Sequence, residues 1–215
     1  MMKVKRSLLR QPLAAALWLS SIQYFIVQVI VASKWSRPPG FSLLHNTISD
    51  LGNTQCGAYG AHYVCSPLHD VMNGSFIILG ITMIIGAYIY KRDIAGVVNK
   101  LGFGSVALGA IGIILVGLFP ENTISGLHIT GAALVFIFGN VGMILLGCSL
   151  THTAKLLRWF SILSGIVGLI ALILFYTRTY LAIDEGGMER ITAYPLTIWL
   201  IVFGLATFLK NVQTS

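Results

Sequence analysis

Charge is what this chain has least of. Only 10% of its 215 residues are Asp, Glu, Lys or Arg, against about 25% in soluble domains. So little charge cannot cover a water-facing surface, so most of the perimeter must face lipid. Acids are scarcer than bases, seven against fourteen. Cysteine numbers three and proline six, which excludes both a disulfide scaffold and a proline-rich linker. The net charge of +7 does not signal nucleic acid, because the basic residues are scattered through short stretches with no stripe interleaved with aromatics. No segment alternates as a membrane barrel would require. No H-E-x-x-H ligand pattern occurs, and no nucleophile-elbow pattern surrounds a serine.

What is present is apolar length. Hydrophobic residues make up 56% of the chain, and mean hydropathy is +0.83. Six stretches of about 20 residues lack any Asp, Glu, Lys or Arg: 12–33, 71–90, 101–120, 124–150, 159–177 and 191–209. Each can cross a bilayer as a helix. Ser66 as a cap and Pro67 at the first helical position extend the second helix back to 67, and the fifth begins about 156. The expected fold class is all-α, a polytopic six-helix bundle forming one domain over 1–215. The basic segment before residue 12 precedes an apolar run too long for a signal peptide, so it reads as a retained first helix.

Lysine and arginine set the orientation. With both termini in the cytoplasm, the inner side carries Lys3, Lys5, Arg6, Arg10, Lys91, Arg92, Lys100, Lys155, Arg158 and Lys210. The outer side carries Lys34, Arg37, Arg178 and Arg190. The acids fall the other way: Asp50, Asp70, Glu121, Asp184, Glu185 and Glu189 lie outside, and only Asp93 inside. The expected location is the plasma membrane of a prokaryote, with a polar site facing outward. Asp184, Glu185 and Glu189 can equally be an ordinary loop surface.

The first outer loop, 34–66, is the longest connection. Arg37-Pro38-Pro39-Gly40 interrupts any helix there. Leu44, Ile48 and Leu51 then form one apolar stripe, and Asn46, Ser49 and Asp50 a polar one, between a possible cap at Ser42 and a stop at Gly52. That pattern predicts a short amphipathic helix over 42–51. Cys56 and Cys65 share the loop and predict a disulfide on an oxidising face, with a zinc pair as the alternative at a spacing unusual for a metal site. His69 and Asp70 open helix two, with Asn73 continuing the face of His69. Helix three is glycine-rich and suits close packing. Asn140 lies in mid-membrane and predicts an interhelical hydrogen bond, and His152 a solvated inner loop.

The topology gathers Asp50, His69, Asp70, Glu121 and His128 at outer helix ends as candidate catalytic groups. Asn46, Ser49, Asn73, Asn122 and Arg178 are candidate substrate contacts. Asp50, His69 and His128 together offer enough ligands for zinc or another divalent metal, with a position left for water. Each has a plainer reading as well: Asp70 favoured by a helix N-terminus, His128 a hydrogen-bonded structural histidine. The expected partners are membrane lipids and an amphipathic substrate, with no nucleic acid. The expected function is recognition or hydrolysis of a lipid headgroup or similar amphiphile. A non-catalytic transporter, lipid sensor or assembly subunit is the alternative.

Ser42-Leu-Leu-His-Asn-Thr-Ile-Ser-Asp-Leu-Gly52, set in six spans, resembles the bacterial and archaeal membrane family labelled domain of unknown function 998. The Phe119-Pro-Glu-Asn122 run followed by His128 resembles it too. The resemblance covers nearly the whole chain and implies a six-helix integral membrane protein. It also invites comparison with membrane hydrolases of the alkaline ceramidase type, which set a serine, an aspartate and three histidines around zinc. Ser49, Asp50, His69 and His128 are the residues here that can play those parts. The closely spaced histidine pair on a last helix is absent.

Overall fold

A computed structural model describes residues 2–36, 40–60, 62–150 and 154–213. Arg37, Pro38, Pro39 and His152 lie outside the described residues. Among the described residues six helical segments are long and apolar enough to cross a membrane: 10–32, 69–92, 97–118, 125–149, 155–176 and 184–210.

The first span is two helices, α1 (Met2–Leu19) and α2 (Ile22–Ala32). They break at Ser20 and Ser21. The Ser20 hydroxyl donates to the Leu17 carbonyl at 2.6 Å, and such back-bonding weakens the helical ladder. A loop and a hairpin follow. Then come α3 (His69–Asp93), α4 (Val97–Leu118), and the pair α5 (Ser125–Leu134) and α6 (Asn140–Ser149), joined by one π-helical turn at Val135–Gly139. The last two are α7 (Lys155–Tyr176) and α8 (Asp184–Gln213). Glycine lets α4 and α5 touch backbone to backbone. A Cβ on Gly112 would stand 2.4 Å from the Gly131 carbonyl oxygen, and one on Gly131 2.6 Å from that of Gly112. Without a hydrophobic force between helices in lipid, such close contact is what holds them.

The loop before α3 departs from the amphipathic helix expected over 42–51. Residues 43–45 form a turn, 46–48 are irregular, and only Ser49–Gly52 is helical, as a single 3-10 turn. Local side chains take the backbone groups a helix would use. Asn46 Oδ1 accepts from the Ser42 N–H at 3.0 Å, Asp50 Oδ2 from the Thr47 N–H at 3.0 Å, and Thr47 Oγ1 from the Asp50 N–H at 2.9 Å. Gly52 is no helix stop; a Cβ there would lie 2.3 Å from Asn73 Oδ1 of α3. Nor does the Ser66 side chain cap α3. Its hydroxyl donates to the Leu51 carbonyl at 2.7 Å and ties the hairpin's end to the 3-10 turn.

The hairpin, β1 (Cys56–Tyr59) and β2 (His62–Cys65), is antiparallel, with Cys56 opposite Cys65 and Tyr59 opposite His62. Cys56 and Cys65 are joined in a disulfide. The loop and hairpin cap one end of the bundle, the hairpin end. The start of α1, the end of α8, and the facing ends of α3 and α4 and of α6 and α7 lie at the other, the terminal end.

Near that terminal end the core is aromatic. Trp18, Tyr90, Phe103, Trp199 and Phe203 are buried together, with the Tyr90 and Phe103 rings stacked 5.5 Å apart. Trp18 donates to the Met83 carbonyl and Trp199 to the Ser161 hydroxyl, so neither indole N–H is orphaned. Asn140 donates to the Phe136 carbonyl one turn back at 2.6 Å and reaches the Thr192 carbonyl of α8 at 3.5 Å.

Candidate functional site

Ser49 and Asp50, adjacent on the 3-10 turn, organise two linked polar groups. Around Asp50, which is buried, Oδ2 receives the Asn46 amide at 3.1 Å, the Thr47 N–H and, across the loop, His62 Nε2 at 2.7 Å. Asp50 Oδ1 is buried without a hydrogen-bond partner. Glu121 stands beside it. Burial first, then the Asp50 charge, pushes the Glu121 carboxyl up to about 9, against the Asn53 amide that donates to it at 2.8 Å. Burial and the neighbouring Asp50 carboxylate thus favour the protonated form of Glu121, as expected for two carboxyls forced together away from water. Burial and the same two acids also raise the Tyr59 phenol, which donates to the Glu121 carbonyl at 3.0 Å.

Around Ser49 the partners come from two membrane helices. His128 of α5 approaches with Nε2 3.1 Å from Ser49 Oγ, while its Nδ1 lies 2.9 Å from the Phe119 carbonyl. A carbonyl only accepts, so Nδ1 carries a proton and Nε2 faces the serine. Glu189 of α8 lies on the other side. Its Oε1 is 3.1 Å from Ser49 Oγ, and its Oε2 takes the Ile48 N–H. One serine proton stands between two acceptors. Full satisfaction therefore requires one further proton on His128 Nε2 or on Glu189, with Ser49 bridging the two.

Arg190, the neighbour of Glu189, fastens this assembly. Its Nη1 lies 2.8 Å from the Leu43, 2.6 Å from the Asn46 and 2.8 Å from the Gly186 carbonyl oxygens. A Cβ on Gly186 would sit 2.1 Å from the Asn46 carbonyl oxygen. The loop is thus pressed onto α8 at a residue where no side chain fits.

Below Ser49 and Glu189 a narrow cavity of about 40 Å³ opens into the bundle, walled by Phe76, Met83, Val116, Phe136 and Leu196 among others. Along α8 its lining runs from Glu189 to Thr197, about 12 Å at the helical rise. Its space equals only a few waters, so it admits a single thin group. One wall is the π-helical turn, a distortion that recurs at functional sites.

The expected site residues separate as follows. Asn46, Ser49, Asp50, Glu121 and His128 come together. Asn73 is buried nearby and donates to the Gly52 carbonyl at 2.9 Å, which holds the turn against α3. Asn122 pins the loop through the Thr54 N–H and hydroxyl at 3.1 and 2.9 Å. His69 turns back to the Ser66 carbonyl at 2.9 Å, and Asp70 beside it is 92% exposed. Arg178 is exposed at the end of α7.

The three proposed metal ligands are thus engaged separately: Asp50 by His62 and loop donors, His128 by Phe119 and Ser49, and His69 by its own turn. Among the described residues no group of three or more His, Cys, Asp and Glu side chains is placed to hold a metal ion. The donors present do not form a ready ligand set.

Three participants escaped the sequence reading: His62, Glu189 and its neighbour Arg190. His62 sits between the two cysteines, and its pairing with Asp50 depends on the hairpin register. Glu189 reads as a loop acid because a hydropathy window closes at charge. The helix itself begins earlier, at Asp184, and the period Glu189, Thr192, Leu196 was the signal for an inward face.

The family model described as "Protein of unknown function (DUF998)" matches residues 18–206. The chain belongs to this family. The match takes in four spans whole and most of the first and last, the loop with Ser49 and Asp50, and the segments that bring His128 and Glu189 to it. Neither a curated protein nor a solved structure matches the chain.

Proposed function

We propose that this member of the family is a serine-dependent acyl hydrolase or acyltransferase acting on an amphiphile at the membrane surface. The observation that carries the reading is Ser49 Oγ held 3.1 Å from His128 Nε2, with the far ring nitrogen anchored on a backbone carbonyl. A nucleophile, a base and a group that orients the base form the recurring arrangement of acyl transfer.

Ser49 Oγ attacks the acyl carbonyl carbon, and its proton passes to His128 Nε2. The tetrahedral intermediate collapses as the alcohol leaves with that proton. Water, activated by the same histidine, then releases the acid. For the serine proton to reach His128, Glu189 carries the site's extra proton and donates it in a hydrogen bond to the other side of Ser49 Oγ. The cavity below receives the first carbons of the acyl chain, which keeps the ester at the polar level of the site.

The surplus of Lys and Arg at the terminal end orients that end to the cytoplasm. The site then faces outward across the plasma membrane, where a disulfide persists. The reading uses no metal.

The test is hydrolysis of p-nitrophenyl esters of graded chain length by purified protein. Ester turnover lost in Ser49→Ala and in His128→Ala, with unchanged size-exclusion profiles, supports the reading. Turnover that survives in Ser49→Ala overturns it. The second reading is a non-catalytic holder of the same amphiphile. It is favoured by the double clamp on Ser49, which also serves as a structural bridge between the loop, α5 and α8. That reading predicts retention of a co-purifying lipid without turnover.

A further inference from the structure

The opposite end of the bundle holds a much larger space. A cavity of about 910 Å³ lies among α1, α3, α4, α6, α7 and α8, at the upper end of the range for small-ligand sites. Its floor is the face of the aromatic cluster, Tyr90, Phe103 and Phe203. Its wall includes Leu146, Leu157 and Phe160. Two ammonium groups, Lys155 at the start of α7 and Lys210 near the end of α8, also line it, with Asn99, Ser149 and Thr207 as neutral polar groups.

Among the described residues no acid lines this cavity, and in the connecting segments of this end the sequence has only Asp93 against many bases. The chemistry is apolar depth with cationic groups along it. We propose that this cavity is a binding site for an anionic phospholipid of the adjoining leaflet, with one acyl chain laid against the aromatic floor and the phosphate held by Lys155 and Lys210. Charge decides among occupants. A second copy of this chain would bring its own bases from the same end, +7 overall, against the same lysines. A zwitterionic lipid would offer each phosphate with a compensating cation. An anionic lipid meets both the apolar volume and the charge, as basic pockets between membrane helices do elsewhere. Lysine stems are long enough to lie along apolar walls while the ammonium stays at headgroup level.

This site is separate from Ser49 and independent of whether Ser49 performs chemistry. The experiment is native mass spectrometry of detergent-purified full-length protein titrated with phosphatidylglycerol or phosphatidylcholine of identical chains. Wild type is expected to bind the anionic lipid at least tenfold more tightly. Lys155→Gln/Lys210→Gln should bring the two lipids to parity. Ala206→Trp, which fills the cavity, should weaken both, with the folded state checked by size exclusion and thermal melting. Equal binding of the two lipids by wild type would overturn the proposal. So would an anionic preference unchanged in the double lysine variant, or a dimer whose formation the lipid leaves unaffected and Ala206→Trp abolishes.

Discussion

The two ends of the bundle solve opposite problems with the same small stock of polar residues. At the hairpin end, polar side chains are drawn inward and bonded to one another: Asp50 to His62, Asn46 and the Thr47 N–H, and Ser49 to His128 and Glu189. At the terminal end the buried groups are aromatic rings, and charge sits on lysines around a roomy cavity. The first arrangement is tight, directional and shared among several chain segments, which is what chemistry at a bond requires. The second is broad and weakly directional, which is what holding a lipid requires. Two histidines near the hairpin end sharpen the point. His69 and His128 both lie in the first turns of membrane helices, yet only His128 meets a reactive group. Its helix lies against the loop that carries Ser49, whereas the His69 ring folds back on its own turn.

The largest expected break in this comparison is at His128. Replacing it with Ala removes the proposed base and should lower ester turnover by about 10²–10⁴-fold, measured under saturating substrate. A smaller but structural break comes from Cys56→Ala/Cys65→Ala. Closing this short loop stabilises by about 2–3 kcal/mol on chain-entropy grounds. Its loss should lower the melting temperature and release His62 from Asp50, read as a change in the His62 ring resonances.

The next effect is a pH dependence from Glu121. Its carboxyl keeps its proton in the folded chain up to about 9, whereas it loses it near 4.5 when unfolded. The folded state therefore holds the extra proton between those values. The stability Glu121 contributes is full below about 4.5 and is lost as pH rises toward 9. Glu121→Gln should flatten that slope in thermal melts across the range. The smallest effect is expected at Asp70. Asp70→Asn, at a 92% exposed side chain, should change stability by no more than about 0.5 kcal/mol and leave turnover unaltered.

Much of the frame was legible in the residues. Six charge-free apolar runs, a cysteine pair in one loop and the Ile48-Ser-Asp-Leu-Gly52 turn stand out because hydropathy and local spacing are properties of the sequence itself. The helix expected at 42–51 was not there, because Asn46, Thr47 and Asp50 compete for the backbone in ways a stripe pattern does not weigh. Glu189 and Arg190 were hidden for a related reason: charge marks the end of an apolar window, while α8 runs on past it. Which histidine faces Ser49 depends on how α3 and α5 pack against the loop, a tertiary fact with no local signature.

The most direct measurement is peptide mapping of the adduct formed when detergent-purified protein is treated with a fluorophosphonate, compared with His128→Ala. A single adduct on Ser49, strongly reduced without His128, is the predicted result. Intact, folded protein with no adduct on Ser49, or labelling of Ser49 that does not depend on His128, would contradict the assignment of these two residues as nucleophile and base.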